Sequence, residues 1–412
     1  MIFLYRIILN IILILSPFIL IIRLLKKKET LKSYSQKILI NDKYRPKGKL
    51  IWFHGASVGE IKSIIPILEK LEKNSNYNQI LITSNTLSSA NIVKNLKLKK
   101  IIHQFFPIDS NFILKKFIDF WKPSKVIFID SELWPNTLVN LKEREIPVVL
   151  LNARITKKSF KRWMKFKNFA RKIFSLISVS YPANQETKKY LKILKVKKIK
   201  FLDNLKYAEP NYEILTSNRK VKKYFKNRNI WCAASTHYNE EIICGNVHLK
   251  LKSKIKNLLT IIIPRHIKRC DEIKSDLEKL NLKVMVIKSA QQIKYDVDVL
   301  ILDAYGKTKL FFENSPNVFL GGSLINHGGQ NPLEAARIGC NVLYGPNIDN
   351  FREVYSFLNN IKIAQKVSGE NDIIKKLIVL FRNKNRSNKN YLNLRSIGTK
   401  ILKRYYDEII QN

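Results

Sequence analysis

Carboxylates are scarce in this chain: 32 acidic residues stand against 75 lysines and arginines, a net charge of +43. Such an imbalance favours anionic partners, whether nucleic acid, acidic membrane or phosphorylated substrate. The lysines are scattered through every segment among Ile and Asn, as an AT-biased genome would produce. No basic patch interleaved with aromatics, no helix-turn-helix and no RNP-like segment accompanies them, so a nucleic-acid partner is not expected. Cysteine is rare as well. Cys232, Cys244, Cys270 and Cys340 show no CxxC spacing, which excludes a disulfide framework and points to a reducing compartment. The six histidines form no HExxH or comparable ligand pair, so no structural metal and no cofactor is expected.

What is plentiful is apolar sequence at the N-terminus. Residues 7–22 are apolar except for Asn10, Ser16 and Pro17, and Lys26, Lys27 and Lys28 close the run. As a helix, 16 such residues reach about 24 Å, short of the roughly 30 Å hydrocarbon core of a bilayer. In one reading Arg23 snorkels and Leu24 and Leu25 lengthen the span. In the other, Pro17 bends the run into a shallow insertion. A cleaved signal peptide wants its charge before the apolar run and a small-x-small site after it, and "LLKKKETLKSYSQK" offers none. The positive-inside rule then puts the lysines and all that follows in the cytoplasm. The expectation is an anchor over 1–30 on the cytoplasmic face of the cell inner membrane.

Past the anchor, short runs rich in Ile and Val alternate with helical patterns. The first set reads "KLIWFH", "QILITS", "KVIFID", "IPVVLLNA", "LISVSYPAN" and "KIKFLD"; a second reads "NIWCAAS", "LLTIIIPRH", "KVMVIKS", "DVLILDA", "NVFLGGS" and "NVLYGP". Runs apolar on consecutive positions are buried parallel strands, and their alternation with helices is a βαβ series. Between the sets, 207–228 is polar and charged and reads as a linker. The chain therefore divides into two α/β Rossmann-like domains, 40–206 and 229–390, followed by a helical tail over 391–412. Two such halves facing a central cleft are the architecture of many nucleotide-sugar transferases.

The strand ends gather polar residues that a scaffold does not require. In "IWFHGASVGEIKS" a lone carboxylate, Glu60, stands where a strand turns into a helix. It reads two ways, as a complement to the helix dipole or as part of a site, and the corner alone favours the first. Asp130 and Glu132 end the "KVIFID" strand, with Pro135 opening the next helix. Asn152 and Arg154 end another, and Lys206 follows the last strand of the first half. Jointly they offer a base, further carboxylates and a cation at one rim. In the second half, Ser235 and Thr236 stand at an expected helix N-cap, and Arg265 ends a strand where it suits a phosphate. The segment "GGSLINHGGQNPLEAARIG" has two Gly pairs, Gly321–Gly322 and Gly328–Gly329, then Asn331 as cap, Pro332 as N1 and Glu334 in the first turn. It lacks the Lys-Ser/Thr of a Walker loop and the spacing of a dinucleotide fingerprint. Gly-rich turns without ligands are common, so the segment alone leaves both readings open.

"HGASVGE", "SELWPN", "NARITKKS", "DNLKY", "AASTHYNEE", "IIPRHIKR" and "GGQNPLEAARIGCNVLYGP" occur in the order seen in bacterial Kdo transferases, which the chain resembles over almost its whole length. These are membrane-associated GT-B enzymes that move 3-deoxy-D-manno-octulosonic acid (Kdo) from CMP-Kdo onto the lipid A precursor. The resemblance implies that Glu60, in SVGE with Ser57, is the general base for the acceptor hydroxyl. Lys206 and Asp130, with Glu132 beside it, would stabilise developing charge. Pro264 and Arg265, the turn Tyr305–Gly306–Lys307, and Gly328 and Gly329 with Asn331, Pro332, Leu333 and Glu334 would hold CMP. Asn152, Arg154, Ser235 and Thr236 are counted with them as substrate-binding residues. A helix end plus Arg265 would cradle the phosphate without a metal. Departures from the family pattern are Asp130 for Glu, Asn239 for Gly, Gln330 for His, and Lys307 at a position commonly acidic. The rivals are another GT-B transferase with a different nucleotide sugar, and a basic membrane-tethered nucleic-acid binder that rests on charge alone.

Overall fold

A computed structural model describes residues 1–38, 44–208, 224–293, 297–383 and 386–411. Most of the expected linker 207–228 lies outside the described residues. Two compact units result: Met1–Pro210 with Gly398–Asn412, and Asn211–Ile397.

In the first unit, helices α1 (Ile2–Leu25) and α2 (Leu31–Lys37) precede six strands. These are β1 (Leu50–His54), β2 (Gln79–Ser84), β3 (Ile101–Phe105), β4 (Lys125–Ile129), β5 (Val148–Ala153) and β6 (Val179–Pro182). Between them run α3 (Val58–Glu72), α4 (Leu87–Asn95), α5 (Asn111–Trp121), α6 (Pro135–Glu143), α7 (Lys157–Met164) and α8 (Lys167–Phe174), and α9 (Gln185–Ile193) follows β6. The sheet is parallel in the order β3-β2-β1-β4-β5-β6. β1, β4 and β5 are buried at every position, as strands covered on both faces must be. Trp52, Phe117, Trp121, Phe128 and Phe174 fill the core between sheet and helices.

Helix α1 is longer than the apolar run implied. Its 24 residues rise about 36 Å, and Pro17 lies inside it. One edge is polar and attached to the unit: Tyr5 Oη donates to Asp109 at 2.7 Å, Arg6 Nε to Asn136 Oδ1 at 3.1 Å, and Ser16 meets Tyr34 Oη at 2.8 Å. Phe3, Ile14, Phe18 and Leu25 are exposed on it.

The second unit contains β7 (Asn229–Thr236), α10 (Glu240–Lys252), β8 (Leu258–Pro264), α11 (Cys270–Glu278), β9 (Val284–Ile287), β10 (Val299–Leu302) and α12 (Thr308–Asn314). It continues with β11 (Asn317–Leu320), α13 (Leu333–Ile338), β12 (Asn341–Tyr344), α14 (Arg352–Asn360), β13 (Ala364–Lys366) and α15 (Glu370–Arg382). The parallel order is β13-β12-β11-β7-β8-β10-β9. The last helix, α16 (Arg386–Gln411), contributes its residues from Gly398 onward to the first unit. There Lys125 Nζ donates to Ile409 O at 2.7 Å, Tyr181 Oη to Glu408 at 2.8 Å, and Tyr405 Oη to Asp203 O at 2.8 Å.

Three strand expectations need correction. "KIKFLD" is no strand; only a single bridge joins Ile199 to Ser180. Strands β3 and β13 were not anticipated. β3 reads "IIHQF", its apolar pattern broken by His103 and Gln104 at a sheet edge, and β13 has only three residues.

Candidate functional site

In the first unit the strand order reverses between β1 and β4, and the carboxyl ends of strands at such a reversal are where α/β sheets hold ligands. Glu60 sits just past β1. Ser57 caps α3 by accepting from Glu60 N at 3.3 Å, and the carboxylate folds back on the loop. Its Oε2 accepts from Ala56 N at 2.6 Å and its Oε1 from the Ser57 hydroxyl at 2.9 Å. Glu60 is therefore both a cap and a rim residue. Burial raises its pKa; the Ser57 and Ala56 hydrogen bonds oppose the rise, and the charges of Glu132 and Asp130 add to it. A carboxyl so placed holds its proton to higher pH than an exposed one, which suits a proton acceptor.

Asp130 follows β4 at φ +62°, a region that Asp enters more readily than most side chains. Its N–H donates to Leu151 O at 3.0 Å and its carbonyl accepts from Arg154 N at 3.1 Å, which fastens it to β5. Oδ2 lies 3.4 Å from Lys206 Nζ, and Oδ1 is buried with no hydrogen-bond partner among the described residues. Burial raises the Asp130 pKa against the charges of Lys206 and Arg154. Lys206 rides on a 3-10 turn, Leu205–Ala208. Asn152, at φ +51°, accepts from Leu205 N at 2.9 Å, so it secures the turn that carries Lys206. Arg154 is exposed next to it.

Glu132 is held on the same rim by Trp134 Nε1, which donates at 3.1 Å. His54 Nε2 lies 3.4 Å from the same carboxylate, and burial depresses the imidazole pKa. Its other ring nitrogen meets Thr83 Oγ1 at 2.9 Å. Helix α6 begins at Pro135 as expected, but Trp134 gives it no side-chain cap. Asp109 supplies one from a distant loop. It accepts from Asn136 N at 3.1 Å, Thr137 N at 2.9 Å, Thr137 Oγ1 at 2.6 Å and Tyr5 Oη at 2.7 Å.

In the second unit the order reverses between β7 and β11. The Gly321–Gly322 turn follows β11, and Glu240, fully buried at the start of α10, reaches into it. Glu240 accepts from Gly322 N at 2.7 Å, Leu324 N at 3.1 Å and His237 N at 3.0 Å. A side chain at 321 would meet Ser235 O at 2.5 Å, so only glycine fits there. Gly328 and Gly329 have φ of +117° and +71°, and Gly329 N donates to Gly322 O at 2.9 Å. Asn331 Oδ1 accepts from Leu333 N at 3.1 Å. Glu334 is exposed in the first turn of α13. Arg265, just past Pro264 at the end of β8, is exposed, and its N–H donates to Thr236 O at 3.0 Å.

Some expectations shift. Ser235 and Thr236 end β7 and do not cap a helix; Asn239, at φ +72°, is the N-cap of α10. The left-handed backbone there has no need of the glycine usual in the family, since Asn tolerates it. Pro332 is the N-cap residue of α13 and Leu333 its first residue, one position later than the sequence implied. Tyr305, Gly306 and Lys307 follow β10, which β8 separates from β7, and Lys307 Nζ is bonded to Lys288 O at 2.7 Å. The turn thus lies to one side of the Gly-rich loop. Glu240 and Asp109 were not foreseen: each binds backbone far away in sequence, a relation no local pattern reveals.

A family model described as "3-Deoxy-D-manno-octulosonic-acid transferase (kdotransferase)" matches residues 28–209. The chain is 30% identical over 341 residues to the 3-deoxy-D-manno-octulosonic acid transferase of Haemophilus influenzae, covering 82% of this chain and 80% of that one. It is 31% identical to the Rickettsia bellii protein of the same description, over 90% and 89% of the two chains. Among solved structures, a UDP-GlcNAc 2-epimerase from Neisseria meningitidis bound to UDP-GlcNAc is similar with a TM-score of 0.61 at 15% identity, covering 89% of this chain and all of that one. That likeness concerns the fold.

Proposed function

The chain belongs to the 3-deoxy-D-manno-octulosonic acid transferase family and is a glycosyltransferase that transfers Kdo, and from that premise we propose which donor and acceptor it uses and how its residues divide the work. The donor is CMP-Kdo. The acceptor is the lipid A precursor lipid IVA, and the product enters the lipopolysaccharide core. Residues 40–206 receive the acceptor, 229–390 the CMP-sugar, with 207–228 as linker and 391–412 as closing helix.

Glu60 takes the proton from the acceptor hydroxyl as that oxygen attacks the anomeric carbon of Kdo, and the bond from that carbon to the CMP phosphate breaks. A single displacement of this kind inverts the anomeric centre. Lys206, paired with Asp130 at 3.4 Å, supplies a cation to the negative charge that develops as the phosphate departs. Asp130 pairs with it, Glu132 adds a carboxylate on the same rim, and Asn152 secures the turn that carries Lys206. Arg265, following Pro264, contacts the CMP phosphate, Glu334 takes hydroxyl groups, and Asn331 and Leu333 line the nucleotide. Helix α1 holds the protein on the cytoplasmic face of the inner membrane, with Lys26 to Lys28 toward acidic headgroups.

The observation that supports this reading most is the rim at the β1/β4 reversal, where a half-buried carboxylate with a raised pKa and an ion-paired lysine stand together. The test is CMP release from CMP-Kdo in the presence of tetra-acylated lipid A precursor, with mass spectrometry of the glycolipid. Kdo addition to that acceptor is the expected result. Turnover confined to another acceptor or another nucleotide sugar would refute it.

A further inference from the structure

Several backbone amides of the Gly-rich loop, the obvious anion ligands in the sequence, are already in use. The N–H of Gly321 donates to Ala234 O, those of Gly322 and Leu324 to Glu240, that of Gly329 to Gly322 O, and that of Leu333 to Asn331. With these amides taken, an anion arriving at the β7/β11 reversal draws on side-chain donors as well.

Three imidazoles gather there. His237, immediately after β7, lies with its ring centre 4.0 Å from that of His327 in the Gly-rich loop and 5.9 Å from that of His266, next to Arg265. His237 is only 8% exposed, and its Nε2 is buried with no hydrogen-bond partner among the described residues. Gly322 makes the approach possible: a Cβ there would come within 3.3–3.4 Å of both the His237 and His327 rings. Among the described residues, no three His, Cys, Asp or Glu side chains are arranged to hold a metal ion.

We propose that His237, His327 and His266, with Arg265, form the receptor for the phosphate of the donor nucleotide, and that His237 takes up a proton as the phosphate binds. The proposal rests on the donor-binding role given above to the second unit. The groups around His237 are Arg265 and His266 from the end of β8, Arg269 from the following turn, Glu240 and Glu241 from α10, and His327. Arg269 is engaged by Glu241 at 3.1 Å and Glu272 at 3.3 Å, which leaves Arg265 as the guanidinium at the rim. Burial, and then the neighbouring imidazoles and arginines, push the His237 pKa down to about 4. The ring is neutral while the site is empty. A phosphate oxygen beside it reverses the balance, so binding draws a proton from solvent and strengthens as pH falls. His327 also gives a reason for Gln330 at a family His position: three residues earlier, the chain supplies an imidazole to the same loop.

The test is calorimetric titration of the full chain in detergent with the methyl ester of CMP, whose phosphate does not titrate near neutrality, in two buffers of different ionisation enthalpy. Cytidine is the phosphate-free control. We expect the ester to bind about tenfold more tightly at pH 6 than at pH 8 with proton uptake, and cytidine to show neither effect. His237→Gln should abolish the uptake and weaken ester binding about tenfold at pH 6. His327→Gln, on an exposed loop, tests the same point if the buried substitution unfolds the protein. Ester binding independent of pH, or uptake unchanged in both variants, overturns the receptor. If the methyl ester of UMP shows the same uptake while that of CMP does not bind, the receptor stands and the CMP-Kdo reading falls.

Discussion

Replacing Glu60 with glutamine removes a proton acceptor while leaving the shape of the α3 corner almost unchanged. The carboxylate takes the Ala56 N–H at 2.6 Å and the Ser57 hydroxyl at 2.9 Å on separate oxygens. A glutamine keeps one of those oxygens, so one donor loses its partner at a cost of about 1 kcal/mol. The neutral amide also ends the repulsion with Glu132 and Asp130 that, after burial, holds the Glu60 pKa up. These effects oppose each other, and Glu60→Gln should melt close to the parent. Turnover should behave differently. Loss of a general base costs 10²–10⁴-fold, about 3–5 kcal/mol of barrier. The assay is CMP release from CMP-Kdo across pH, with thermal unfolding alongside. Ser57→Ala supplies the complementary arm: it removes a hydroxyl that lowers the Glu60 pKa, so the acid limb of kcat/KM should move to higher pH while α3 loses a cap worth about 1 kcal/mol. A Glu60→Gln protein whose turnover stays within about threefold of the parent, with its acid limb intact, would refute the assignment of the base.

Lys206→Ala should reduce turnover by about 10²-fold and leave CMP affinity nearly unchanged, measured by kcat beside calorimetry; the opposite pattern would recast it as a binding residue. Asp109→Ala should destabilise the first unit by about 3 kcal/mol in urea unfolding, because four donors lose one buried acceptor, whereas Asp109→Asn should retain much of that stability. Tyr405→Phe removes the hydroxyl bonded to Asp203 O at 2.8 Å, three residues before Lys206. It should cost about 1 kcal/mol and lower kcat more than it raises KM, read by steady-state kinetics and melting.

The central strands were legible because burial on both faces writes itself as unbroken Ile, Val and Phe: "LIWFH", "KVIFI" and "LLTIIIP" are found where they were expected. β3 and β13 were not, since His103 and Gln104 interrupt the apolar run of β3 and β13 is too short to have a pattern. Of the rim residues singled out in the sequence, Asp130 directly follows β4 and Asn152 lies near the end of β5, whereas Lys206 stands on a 3-10 turn after a segment that is no strand. What escaped was cooperation at a distance. Glu240 binds Gly322, 82 residues on, and Asp109 caps a helix that starts 26 residues later. The three imidazoles belong to segments that look unrelated until β11, β7 and β8 lie side by side.

The return of α16 to the first unit also has a temporal side. Residues 398–411 complete the packing behind Asp203 and the Lys206 turn, yet the ribosome makes them only after the whole second unit, about 190 residues later. At about 5–20 residues per second that is a delay of about 10–40 s. During that interval the nascent chain has every residue of the β1/β4 rim but not the buttress beneath it, so a product that terminates early is released with an unsupported lysine turn.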